Sequence, residues 1–170
     1  MLTKKSVIYF LFLFFSNEFL SDSVDKVTYA SWNKPDVEIL YVLPKEINEN
    51  TKVLFIIHGN SRDVEKYLNQ WIEPSKDKNV ILVAPYFDKI SYPNLNTLQM
   101  ATSSGKILKD QSNNLNNSLS SFFSYFKSKY NLTSSSYSIF GFSAGSQFTH
   151  RYMLFSDDKQ IDKAVLGSAG

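Results

Sequence analysis

The chain contains no cysteine. That absence excludes disulfides, zinc held by thiolates, a cysteine nucleophile and a lipid-modified N-terminal cysteine, and it leaves the redox compartment open. Histidine occurs only twice, at His58 and His150. No metal-ligand spacing and no glycine-rich phosphate loop occur, so no metal or other cofactor is expected. The net charge is only +2, with lysines scattered among acids and no basic block interleaved with aromatics. Nucleic acid and charged membrane surfaces are therefore not indicated as partners. No internal repeat and no domain linker divide the chain.

What is present is an ordinary globular composition. With 43% hydrophobic and 20% charged residues over 170 positions, the chain can build one core. Its first 21 residues read separately. Lys4 and Lys5 precede the apolar run Val7 to Phe15, after which Ser16, Asn17 and Glu18 restore polarity. A basic head followed by an apolar run too short to cross a bilayer has the form of a secretory signal peptide, and exported localisation follows. No clean small-residue cleavage site follows it, so an uncleaved membrane anchor is the alternative. The remaining segment, 27–170, is expected to be one domain.

Within that segment strands and helices alternate. Val27–Trp32 and Val37–Val42, joined by the turn-forming Asn33-Lys34-Pro35-Asp36, predict an antiparallel hairpin. Val53–Ile57 and Val80–Ala84 are apolar without alternation, the pattern of strands buried on both faces of a parallel sheet. Between them Val64, Tyr67, Leu68 and Trp71 mark one helical face, with Pro74 expected to stop the helix. Pro85 is expected to break the second strand, and 86–114 shows no firm pattern. Leu115, Leu119, Phe122, Phe123, Phe126 and Tyr130 predict an amphipathic helix, with Lys127 and Lys129 near its negative end. A strand from Tyr137 to Phe140, a helix with Phe148, Tyr152, Met153 and Phe155 on one face, and a last strand at Ala164 complete the pattern. Such alternation implies a mostly parallel sheet with helices on both faces and ligands at the carboxyl ends of its strands.

One pentapeptide organises the chemistry. Gly141-Phe142-Ser143-Ala144-Gly145 is a G-x-S-x-G sequence with a strand before it and a helix after it, the context of a nucleophile elbow. Gly141 and Gly145 are the elbow glycines that let helix and strand approach, and Ser143 is the candidate nucleophile. The strand at Val53–Ile57 ends in His58-Gly59-Asn60-Ser61, at the same sheet edge.

These residues resemble the α/β-hydrolase fold, and within it secreted esterases of the polyhydroxybutyrate depolymerase and feruloyl esterase type, over about residues 37 to 170. The resemblance rests on His58-Gly59 after an apolar strand, on Ala84-Pro85, and on Gly141 to Phe148. It implies an oxyanion hole made by the backbone N–H of Ala144 and one from the loop His58-Gly59-Asn60-Ser61, with Asn60 first and Ser61 second. It further implies an acid and a histidine after the last strand, yet only 27 residues follow Ser143. The chain is thus expected to be C-terminally truncated, with the C-terminal strands missing. His150 stands nearly two helical turns from Ser143, about 10 Å at 1.5 Å per residue. His58 is expected to brace the loop rather than take a proton. Asp157, Asp158 and Asp162 are read as solvated charges, and Asp63 as a helix cap. Two functions remain open: a serine carboxylic-ester hydrolase acting on a small or polymeric ester, or a catalytically inactive remnant or binding module on the same fold.

Overall fold

The structure is a computed structural model that describes residues 23–169. The signal-peptide or anchor segment lies outside the described residues. Ten elements follow one another: β1 (Asp25–Tyr29), β2 (Val37–Val42), β3 (Lys52–Ile57), α1 (Val64–Ser75), β4 (Val80–Tyr86), a short 3-10 turn (Leu95–Thr97), α2 (Ser118–Tyr130), β5 (Tyr137–Phe142), α3 (Ala144–Phe155) and β6 (Ile161–Gly167).

The strands form one sheet in the order β1-β2-β4-β3-β5-β6. β1, β2 and β4 pair antiparallel, whereas β4, β3, β5 and β6 run parallel. The apolar runs in β3 and β4 take the central positions because both of their faces are covered. On one face α1 buries Val64 and Leu68 against Leu40, Ile56, Leu82 and Ala84. On the other, Phe122, Phe123 and Phe126 of α2 and Phe148 and Tyr152 of α3 pack against Ile39, Phe55, Val83 and Ile139. Trp71 belongs to the α1 layer, with its ring 4.9 Å from that of Phe140.

The two prolines act differently from expectation. Pro74 lies inside α1, one residue before its end. A proline there removes a single N–H and the helix stops within a residue, so the break falls one position later. Pro85 is carried within β4, opposite Ile39 of β2. β4 pairs with β3 only as far as Val83, so at Pro85 the ladder continues on one side alone. β1 starts and ends earlier than its apolar run, and α2 starts at Ser118 rather than Leu115. Leu115 is fully buried ahead of that helix, and its N–H donates to Leu98 O at 2.9 Å.

The segment 86–114 is ordered by buried anchors spaced too irregularly to show a period. Phe87, Tyr92, Leu95 and Leu98 are buried in the same layer as α2 and α3. The Tyr92 hydroxyl donates to Pro35 O, tying this segment to the turn between β1 and β2. Leu98 and Gln99 adopt left-handed backbone (φ 56° each) as the chain leaves the 3-10 turn.

Candidate functional site

Ser143 occupies the sharp turn between β5 and α3, with φ 53° and ψ −119°. A non-glycine residue in this region stores strain of about 1–3 kcal/mol, held in place only when the surroundings determine it. Here they do. A Cβ on Gly145 would lie 2.1 Å from Ile57 O, and one on Gly141 would lie 2.4 Å from Gly145 O. Both are closer than any carbon can approach, so the helix meets the strands only because both positions are glycine. The turn is pinned further by Ser143 N–H, which donates to Gly167 O at 2.9 Å, and by the Ser146 hydroxyl, 2.6 Å from Gly141 O and 2.7 Å from Gly167 O. β5, α3 and the end of β6 are thereby locked together. The Ser146 hydroxyl thus adds a second donor at Gly167 O, which already accepts from Ser143 N–H.

The second loop reaches the same point. β3 and β5 pair with Ile57 opposite Gly141, which sets His58 and Gly59 beside Phe142 and Ser143. A Cβ built on Gly59 would stand 3.5 Å from Ser143 Cβ and 3.4 Å from Phe142 O. Arg62 N–H donates to Gly59 O at 3.1 Å, closing a turn with Asn60 and Ser61 at its exposed tip. In such a turn the N–H groups of the two tip residues are not used by the closing bond. Ala144, first residue of α3, has no intrahelical acceptor for its N–H, and the positive end of the helix dipole lies there.

His58 holds this loop from below. It is fully buried. Phe87 N–H donates to His58 Nε2 at 3.2 Å, so Nε2 is the unprotonated nitrogen and Nδ1, 3.0 Å from Gly59 O, carries the proton and donates to it. Burial drives its pKa down to about 4, with the Arg62 charge adding in the same direction. Both ring nitrogens are committed, and the ring joins the end of β3 to the end of β4.

Arg62 is a partner that sequence patterns did not single out beyond its place at a helix start. It is buried with left-handed backbone (φ 64°), and its guanidinium donates to Phe87 O and to Tyr92 O, each at 3.0 Å. The loop that carries Asn60 and Ser61 is thereby stapled to the segment after β4. Asp63 caps α1, accepting from Lys66 N–H at 3.2 Å. Gln147, one turn after Ser143, accepts from Asn96 Nδ2 at 3.1 Å and donates to Ala169 O at 2.8 Å, and Arg151 donates to Asn96 O at 2.8 Å. These bonds hang the 3-10 turn on the elbow helix.

The remaining candidates stay apart from Ser143. His150 is exposed on α3 and points away from the core. Among the described residues no side chain hydrogen-bonds the Ser143 hydroxyl. Asp157 is exposed and pairs with Lys159 at 2.9 Å. Asp158 corrects the expectation of a solvated charge: its Oδ2 accepts from the Tyr137 hydroxyl and, at 3.0 Å, from the Tyr152 hydroxyl. It sits where β5 begins, at the edge opposite Ser143. Among the described residues no group of three or more His, Asp or Glu could hold a metal ion, and no helix is long and apolar enough to cross a membrane.

A mostly parallel sheet in this order, a strained serine at its carboxyl edge, and a glycine loop abutting it decide the architecture. The fold is that of the α/β-hydrolases. No family model matches the chain, and no curated protein does. Solved structures do. A poly(aspartic acid) hydrolase-1 from Sphingomonas sp. KT-1 superposes with a TM-score of 0.75 at 24% identity, over 85% of this chain and 56% of that one. A poly(3-hydroxybutyrate) depolymerase from Bordetella parapertussis gives 0.73 at 18% identity, over 85% and 51%. A fluorophosphonate-binding serine hydrolase of Staphylococcus aureus gives 0.60 at 16%, over 84% and 55%. The chain thus spans about half the length of the α/β-hydrolase structures it matches.

Proposed function

We propose that this chain carries the nucleophile and oxyanion hole of an exported serine carboxylic-ester hydrolase. The observation that supports it most is the strained Ser143 (φ 53°) with Gly59 against its Cβ, because strain of this kind persists where a side chain must be presented. Ser143 Oγ attacks the ester carbonyl carbon as its proton passes to the base, the π electrons move onto oxygen, and collapse breaks the C–O bond, the alcohol leaving with that proton and an acyl-serine remaining. The N–H groups of Ala144 and Asn60, with Ser61 next to it, receive the negative oxygen. The acid and the base come from outside the described residues. The poly(3-hydroxybutyrate) depolymerase neighbour favours an ester, small or polymeric, as the substrate, and the basic and apolar N-terminal stretch favours export.

A second reading has an observation of its own. No described side chain is placed to take the Ser143 proton, which suits a non-catalytic binding module on the same fold. A fluorophosphonate probe followed by intact-mass measurement separates the two. The esterase reading expects one adduct on the folded chain and none on Ser143→Ala. A folded chain that stays unlabelled would establish the binding module instead.

A further inference from the structure

Tyr67 stands in the first turn of α1, directly after the Gly59 loop; its ring packs against the α1 side of the core, and its hydroxyl takes no part in the elbow. Its ring is half-buried, 5.8 Å from that of Phe142, the residue before Ser143. Its hydroxyl lies 2.7 Å from where a Cβ on Gly59 would be, and that same point is 3.5 Å from Ser143 Cβ. Together these place the phenol oxygen within about 6 Å of Ser143 Cβ. Among the described residues the hydroxyl has no hydrogen-bond partner. Its neighbours along α1 on this face, Val64, Leu68 and Trp71, are packed into the core, so a phenylalanine would satisfy the packing and the hydroxyl is the unexplained part. Gly59 is what admits it: any side chain there would occupy the space that the phenol fills.

We propose that the Tyr67 hydroxyl is a third donor to the oxygen that becomes negative when Ser143 attacks, an assignment that rests on reading Ser143 as the nucleophile. The phenol oxygen stands no more than about 6 Å from Ser143 Cβ, a span that the Cβ–Oγ, Oγ–C and C–O bonds and one O–H···O contact of about 2.7 Å can bridge. As the Oγ–C bond forms, the carbonyl electrons pass to oxygen, and the serine proton goes to a general base, or to water where no base is present. Tyr67 keeps its own proton and donates a hydrogen bond that strengthens as charge develops. Bonds of a neutral donor to a charged acceptor are the stronger class, so the contribution belongs to the reacting state rather than to initial binding.

The test is the rate of phosphonylation by a fluorophosphonate, in which the Oγ–P bond forms, the P–F bond breaks, and the proton and fluoride leave to water. The P=O oxygen then stands in for the developing oxyanion. Tyr67→Phe is expected to lower the maximal inactivation rate on the order of tenfold while leaving the half-saturating probe concentration and the melting temperature unchanged. Equal maximal rates in wild type and Tyr67→Phe would overturn the assignment and leave the esterase reading standing. A loss confined to the half-saturating concentration would also overturn it, because it marks ordinary binding. A folded wild type that takes no label would overturn both. Should Tyr67→Phe melt early, Tyr67→Leu, which is apolar and carries no donor, must show the same loss of maximal rate at a temperature where it is folded, and full retention would overturn the proposal.

Discussion

At the scale of single residues, the site is a set of groups whose alternatives are sterically or electrostatically closed. Gly145 cannot carry a side chain against Ile57 O at 2.1 Å, and Ser143 cannot relax because β6 and Ser146 hold its neighbours. His58 shows the same at the level of protons. Its folded pKa of about 4 lies below the ordinary 6.5, so between those values the unfolded chain binds a proton that the folded chain refuses. The stability this group contributes is therefore complete above about pH 6.5 and is lost as the pH falls toward 4, a change on the order of 3 kcal/mol. Urea midpoints measured from pH 7 to 4 should fall, and His58→Gln should show a shallower fall over the same range. An equal slope in both proteins would remove His58 as the cause. The candidate nucleophile was legible here because G-x-S-x-G is contiguous. The commitments of His58 were not, because Phe87 is 29 positions away and meets it only across two strand ends.

Among elements, α3 carries most of the organisation. Its N-terminus presents Ser143 and Ala144, its middle holds the 3-10 turn through Gln147 and Arg151, and its C-terminal half is tied to α2 and β5. The tie is a buried group: the Tyr152 hydroxyl accepts from Ser120 N–H at 3.1 Å, and the Tyr137 and Tyr152 hydroxyls share Asp158. Burial and the adjacent Asp158 charge raise Tyr152 to about 12, so both phenols stay protonated donors throughout the ordinary pH range. Replacing Asp158 by alanine leaves two buried donors without their acceptor and should cost about 2–3 kcal/mol in urea unfolding. Tyr152→Phe, which removes one of the two donors and leaves Ser120 N–H without its acceptor, should cost about 1–2 kcal/mol. A neutral Asp158→Ala would return that residue to the solvated class in which its sequence neighbours Asp157 and Lys159 place it. The periodic helices and the apolar strands were readable from spacing alone, because a face buried against one layer imprints 3.6 or continuous apolarity on the sequence. Segment 86–114 was not, since its anchors Phe87, Tyr92, Leu95 and Leu98 are held by tertiary contacts and follow no period.

Across the sheet, β1 and β6 are the two edge strands among the described residues. β1 closes one edge as part of a hairpin, with Lys26 paired to Glu38 and Glu65 on its surface. β6 forms the other edge among the described residues, with Val165 57% and Leu166 38% exposed. An unpaired apolar strand edge is a template for association between chains. Sedimentation of the chain should show concentration-dependent self-association, and Val165→Lys should shift it toward monomer while changing the melting temperature little, because the side chain is largely exposed. Monomeric sedimentation of the unmodified chain at high concentration would contradict this.

Local pattern by itself determined the alternation of strands and helices, the hairpin, the faces that are buried and the serine at the elbow, because each depends on neighbours within a turn or a strand. Only the tertiary structure decided the strand order, the seating of Gly59 against Ser143, the neutral tautomer of His58, the stapling of the oxyanion loop by Arg62 and the free hydroxyl of Tyr67. Those depend on register between strands far apart in the chain, and register is set by packing across the sheet rather than by any stretch of sequence.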